Sequence, residues 1–216
     1  MKDKFILDAC CGGRMMWFNK NHPHAIYVDN RTTDKGYVDG KPNHEVKPDM
    51  IMDFKDLKFE DKSFKLVFFD PPHVFATEHN ESTFIKCFGR LHKDTWKEDI
   101  KNGFDECWRV LDDYGTLVFK WSECNVPLKE LIEVIQKEPL VRSMRRGLSK
   151  THWLCFLKIP SEEQLIATPL NSKGSQEANS LNMRYQETSS EVSQIADATF
   201  DNANIKLNLA FCLPTL

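Results

Sequence analysis

The chain has 216 residues, 41% of them hydrophobic, which is enough to build one α/β domain with a buried core and an appendage. Its formal net charge is -3, and residues 160–216 hold three basic and seven acidic side chains; the near-neutral remainder excludes the uniform positive field of a DNA-coating protein. No apolar run reaches the roughly 18 residues of a membrane span, so no membrane partner is expected, and the seven cysteines, without a C-x-x-C pair or secretory leader, read as reduced thiols of a cytoplasmic protein.

In chain order, residues 5–7 form a short apolar strand that continues through Asp8-Ala9-Cys10-Cys11-Gly12-Gly13 into the helix-compatible Arg14-Met15-Met16-Trp17-Phe18. A second strand is predicted at 25–28, ending in Asp29, and a third at 50–52, ending in Asp53. The fourth, at 64–69, carries Asp70-Pro71-Pro72-His73 at its carboxyl end, and the segment from Pro72 to Trp96 reads as a loop. Residues 96–111 fit an amphipathic helix with Ile100, Phe104, Trp108 and Leu111 on its apolar face, closed by the turn-forming Asp112-Asp113-Tyr114-Gly115. A strand at 116–121, a helix at 127–136 with Pro127 in its first turn, and a hairpin of residues 140–144 and 153–159 complete the series. Five βα-type units followed by an antiparallel pair predict an α/β, doubly wound, mostly parallel sheet with one reversed strand. Residues 1–160 are assigned to this domain. Residues 161–216 are polar and acidic, turn apolar only near the end, and are expected to form a flexible tail.

Asp8, Asp29, Asp53 and Asp70 each fall at the carboxyl end of a different predicted strand. A single such Asp usually caps the next helix; four of them set carboxylates along the rim where sheets of this kind bind ligands. Gly12 and Gly13 allow close backbone approach, but a G-x-G-x-x-G dinucleotide fingerprint is excluded because Met15 and Met16 stand where its last glycine would fall. S-adenosylmethionine suits the rim better, having a cationic amino-acid end, a ribose diol and an adenine but no pyrophosphate. Asp8 would face its ammonium beside Cys10 and Gly12, Asp29 would accept from both ribose hydroxyls, and Asp53 from the adenine amine, with Phe54 against the ring. Asp70-Pro71-Pro72-His73 is the most specific pattern. As a structural feature it terminates a strand, since proline cannot donate a ladder bond. As chemistry, a carboxylate and a carbonyl held rigidly by two prolines can take both N–H bonds of an aromatic amine and turn its lone pair toward a methyl donor, and the His73 ring can stack on the base.

The succession of DACCGG and DPPH resembles the class I, Rossmann-like amino methyltransferases, the group that includes adenine-N6 and cytosine-N4 DNA enzymes and RNA base methyltransferases. Stretches such as GRMMWF, FFDPPH, FKW and KTHWLCF are similar to small methyltransferases encoded by phages and prophages, over residues 4–159. The resemblance implies a methyltransferase catalytic domain with S-adenosyl-L-methionine as cofactor, held by Asp8, Gly12, Asp29 and Asp53, and a substrate amine at Asp70 to His73. The sequence departs from the family at His73, where Tyr, Phe or Trp is usual, and opens directly on its first strand, where the family carries a helix. DNA adenine N6 is the expected target, an RNA-base amine the alternative, and a non-catalytic module that keeps the cofactor fold the reading from another class. A carbon-5 cytosine enzyme is not expected, for want of a Pro-Cys nucleophile. Arg142, Arg145, Arg146 and Lys150 cluster at the hairpin near the same rim and are either phosphate contacts to nucleic acid or a solvated turn. No metal site is expected, because His22, His24 and the other histidines lack partners at ligand spacing.

Overall fold

The computed structural model describes residues 3–145 and 150–161. The first two strands, β1 (Ile6–Asp8) and β2 (Ala25–Asp29), are buried at every position, as short apolar runs covered on both faces must be. With β3 (Met50–Ile51), β4 (Phe64–Phe69), β5 (Leu111–Ser122), β6 (Val141–Arg145) and β7 (Thr151–Leu157) they form one sheet of order β3-β2-β1-β4-β5-β7-β6. β1 lies parallel between β2 and β4, with Leu7 opposite Ile26 on one side and Val67 on the other. β4 runs parallel to β5, and β7 is the one reversed strand, antiparallel to both β5 and β6. The expected α/β, mostly parallel sheet with a single reversed strand is therefore the observed one.

The helical connections differ from expectation. Among the described residues the helices are α1 (Thr83–Phe88), α2 (Trp96–Val110) and α3 (Leu128–Ile135), so only the β4-to-β5 and β5-to-β6 crossovers are helical. α2 and α3 follow the predicted periodicity, burying Ile100, Phe104 and Cys107 from the first and Leu131 and Ile135 from the second in the main core with Val67, Phe69, Leu117 and Phe119. Pro127 sits just before α3 as its N-cap.

The helix expected at 14–18 does not form. Arg14 adopts a left-handed φ of 53°, which a helix cannot absorb, and its guanidinium instead binds the Lys20 carbonyl (2.8 Å), the Lys47 carbonyl (2.8 Å) and Asp49 (2.9 Å). Trp17 folds back onto the other sheet face, edge-on to Tyr27 and Phe68, and its indole N–H donates to Asp8 at 2.6 Å. Tertiary contacts of two large side chains thus outweigh a local helix preference of a few tenths of a kcal/mol per residue.

Residues 52–63 are also irregular. Their backbone is satisfied from α2: Arg109 donates to the Leu57 and Phe59 carbonyls (2.8 Å each), and Glu106 accepts from the Leu57 N–H (2.9 Å). The turn expected at 112–115 is instead a distortion within β5, where Tyr114 takes a φ of 58° and the register against β4 shifts between Phe64 and Leu66. α1, unforeseen in the sequence, is less than two turns long and ends at Gly89, whose φ of 77° an L side chain rarely adopts. No helix among the described residues is long and apolar enough to cross a membrane. The expected tail, 161–216, lies outside the described residues apart from Ser161.

Candidate functional site

A cleft of about 1430 Å³ opens beyond the carboxyl ends of β1 to β5. Its back wall is the turn after β1. The Ala9 N–H donates to the Phe68 carbonyl (3.0 Å) and the Cys11 N–H to the Val28 carbonyl (2.8 Å), which locks the turn to both neighbouring strands. Gly12 follows with a φ of 46° and donates its N–H to Asp29 Oδ2 at 2.9 Å; a Cβ on it would point into open space. Asp29, at the end of β2, is buried and also accepts from the Arg31 backbone N–H (3.0 Å) and side-chain Nε (3.1 Å). Its carboxylate therefore joins the glycine turn to the loop after β2 at the cleft surface. With a longer contact from Arg31 Nη2 to Oδ2 at 3.5 Å, four donors already take the roughly four acceptor positions of the ionised carboxylate, so a diol would bind Asp29 in exchange for the Arg31 guanidinium.

Asp53 and Phe54 lie on the neighbouring wall. Asp53 accepts the Lys55 N–H at 2.9 Å, and Lys55 reaches across to Asp99 of α2 at 2.8 Å. The Phe54 ring stands edge-on to Phe69 at 5.4 Å and lies over Gly103 of α2, where an added Cβ would come within 2.4 Å of it. The glycine inside a helix is thus required by the ring's position.

At the end of β4, Asp70, Pro71, Pro72 and His73 all line the cleft. Lys120 Nζ donates to Asp70 Oδ2 at 2.6 Å, in a pair whose side chains are 26% and 19% exposed. Asp70 Oδ1 has no hydrogen-bond partner among the described residues. The His73 Nδ1 lies 3.3 Å from the Pro71 carbonyl oxygen, to which the neutral ring donates in the corresponding tautomer. Burial holds His73 below the ordinary imidazole range; the Lys120 charge acts the same way, while Asp70 and the Pro71 carbonyl oppose it. The ring is therefore neutral at pH 7 and meets Trp121 edge-on at 6.1 Å.

No family model matches the sequence, and no curated protein matches it. Among solved structures, a protein from Pyrococcus horikoshii is similar at 18% identity over 73% of this chain and 84% of its own, with a TM-score of 0.41. A SAM-dependent methyltransferase from Methanosarcina mazei is similar at 12% identity over 74% of this chain and 95% of its own, with a TM-score of 0.46. A geranyl diphosphate methyltransferase, solved with GPP and sinefungin, is similar at 11% identity over 72% and 71%, again with a TM-score of 0.46. What the cleft of this chain holds follows from its own residues.

Of the residues singled out in the sequence, Cys10, Gly12, Asp29, Asp53 and Phe54 share the cleft with Asp70 to His73. Asp8 is not among the lining residues. It is fully buried behind the turn, where its carboxylate accepts from the Trp17 indole at 2.6 Å and the Cys10 N–H at 3.3 Å. Arg142 and Lys150 are exposed on the β6–β7 hairpin, Lys150 within 3.4 Å of Glu123, and neither lines the cleft. Arg145 is the last residue of β6, paired through its backbone with Thr151, and Arg146 lies outside the described residues. The cleft residue that sequence reasoning missed is Lys120, which pairs with Asp70. Its signal was a lone cation in the apolar run Leu117-Val118-Phe119-Lys120-Trp121, near the rim where β5 ends. Burial pushes the Cys10, Cys11 and Cys107 thiols up, so none is a ready nucleophile. Among the described residues no three metal-ligating side chains converge.

Proposed function

We propose that this chain transfers a methyl group from S-adenosylmethionine to an exocyclic amino group of a nucleic-acid base, with adenine N6 in DNA as the first target. The observation that carries this reading is the pair of cleft-lining residues Asp70, whose Oδ1 has no partner among the described residues, and Pro71, whose carbonyl keeps a second lone pair beside its 3.3 Å contact with His73 Nδ1, on a backbone stiffened by Pro71 and Pro72. The preference for adenine in DNA rests on the likeness of DACCGG and DPPH to the amino methyltransferases.

The residues present fit the cofactor. Asp29 would accept from the ribose diol in exchange for the Arg31 guanidinium, Gly12 beside Cys10 leaves open space, and Asp53 with Phe54 provides an acceptor and an aromatic edge for adenine. When bound, the cofactor supplies an electrophilic methyl on a sulfonium. Lys120 fixes Asp70 through Oδ2, so that Oδ1 faces the target amine. The amine donates one N–H to Asp70 and the other to the Pro71 carbonyl, which draws the nitrogen lone pair out of the ring and toward the methyl. The methylated nitrogen then gives up one proton, and Asp70 Oδ1 is the acceptor in place. Neutral His73 offers a ring face beside the base without adding positive charge. Arg142, Arg145, Arg146 and Lys150 are proposed to meet phosphates outside the cleft.

The test is incubation with methyl-labelled S-adenosylmethionine and single-stranded DNA, duplex DNA or RNA, followed by digestion and nucleoside mass spectrometry. N6-methyladenine from DNA is the expected product. A modified RNA base would move the substrate to RNA, and cofactor binding without methylation of any nucleic acid would favour the non-catalytic module.

A further inference from the structure

Around the mouth of the cleft stand three large aromatic residues that the amine-holding geometry does not use. Tyr37, in the loop between β2 and β3, is 48% exposed, and Phe84 and Phe88 of α1 are 43% and 37% exposed. All three line the cleft. Phe84 and Phe88, one helical turn apart, meet at 4.9 Å with an interplanar angle of 54°. Each end of this group carries a cation: Lys86 Nζ lies 5.5 Å from the Tyr37 ring and Lys41 Nζ 5.5 Å from the Phe88 ring. The group is seated beside the Asp70-Pro71-Pro72 turn, because a Cβ on Gly89, the residue that ends α1, would come within 3.0 Å of Pro72 Cγ. Single exposed apolar residues are ordinary, but a cluster of rings with interleaved lysines at the entrance to a cleft is an unused binding surface.

Resting on the function proposed above, we infer that this rim is a platform for an unpaired nucleic-acid strand. Bases flanking the target stack on Phe84, Phe88 and Tyr37, and the phosphates between them meet Lys41 and Lys86. The rings argue for a strand rather than a duplex, since paired bases hide the faces that aromatic side chains use. The lysines argue for a polyanion rather than a neutral apolar ligand. Lys86 also pairs with Asp39 at 3.3 Å, but Asp39 is so exposed that a phosphate displaces it at little cost. A base leaving such a strand enters the cleft directly beside Pro72, without crossing the sheet edge to the β6–β7 hairpin.

The experiment is fluorescence anisotropy with short labelled oligonucleotides of one sequence, as single-stranded DNA, single-stranded RNA and duplex DNA. The proteins are the full chain and its Phe84→Ala, Phe88→Ala, Tyr37→Ala, Phe84→Trp and Lys41→Gln/Lys86→Gln variants. Cofactor affinity by calorimetry serves as the folding control. The single strand binds tighter than the duplex. Each ring-to-alanine change weakens strand binding about tenfold, Phe84→Trp retains it, and the double lysine variant lowers the salt slope by about 1.4. Cofactor affinity is unchanged throughout. Variants that bind the strand as well as the full chain does, or a duplex bound as tightly as the strand, overturn the platform. If nucleic acid is methylated all the same, only the platform falls; if the full chain neither binds nor methylates nucleic acid, the proposed function falls with it.

Discussion

Asp8 is a fully buried carboxyl with no cation among its hydrogen-bond partners, and its substitution by asparagine tests that environment. Burial pushes the group from 3.8 up to about 7; the Trp17 and Cys10 N–H donors pull it back in part, and the nearby Asp70 and Asp29 charges add to the rise. The folded protein therefore holds the Asp8 proton more tightly than the unfolded chain does. The resulting stability is fully present below the unfolded value near 3.8, declines as pH rises, and is lost once pH passes about 7. At about 1.4 kcal/mol per tenfold change in proton affinity, the whole rise corresponds to about 4 kcal/mol. Asp8→Asn removes the titration but keeps an acceptor for one of the two donors, at a fixed cost of about 1–3 kcal/mol for the mismatched second bond. Urea unfolding of both proteins across the range from about pH 4 to pH 8 isolates the effect, because titrations not coupled to Asp8 cancel in the difference between them. The wild-type advantage is expected to shrink by about 4 kcal/mol over that interval and to reverse sign between about pH 4.5 and pH 6, where the loss matches the fixed cost. A difference that stays flat with pH would show that Asp8 is solvated or ion-paired rather than sealed behind the turn after β1.

Four further perturbations address the cleft. Lys120→Met frees Asp70 to rotate, so methyl transfer should fall by roughly 10²–10³ while cofactor affinity by calorimetry stays within a few-fold; Asp70→Asn should behave alike, and a full-rate Lys120→Met enzyme would exclude a positioning role for the lysine. Asp29→Ala removes the acceptor of the Gly12 N–H as well as the proposed ribose contact, and cofactor binding should weaken by about 2 kcal/mol; unchanged affinity in a folded variant would move the ribose elsewhere. Gly103→Ala places a methyl group against the Phe54 ring and should lower stability by about 1–3 kcal/mol in denaturant unfolding while weakening cofactor binding, whereas an unaffected variant would mean that Phe54 is not held where the structure puts it.

The strands and the rim were written locally. Val-, Ile- and Phe-rich runs bounded by Asp, Gly and Pro specify β1, β2 and β4 wherever they are placed, and the amphipathic period of α2 and α3 is likewise a property of a few consecutive residues. Once the strands lie parallel, Asp29, Asp53 and Asp70 must come to one rim, so that much of the site was legible without tertiary information. What only the tertiary structure decided are matters of long-range contact. The residues at 14–18 are compatible with a helix, but Arg14 is claimed by Lys47 and Asp49 and Trp17 by Asp8, Tyr27 and Phe68, and no local pattern records those partners. Asp8 looks the same in sequence as the other strand-terminal aspartates; the indole folded over it is what withdraws it from the cleft. Lys120 and Asp70 are 50 residues apart in the chain and become neighbours because β4 and β5 pair in register, and α1 brings Phe84 and Phe88 to the cleft because Gly89 fits against Pro72. Period and composition set which segments are strands, but the pairing of particular side chains across the sheet is fixed by packing, which no single segment carries.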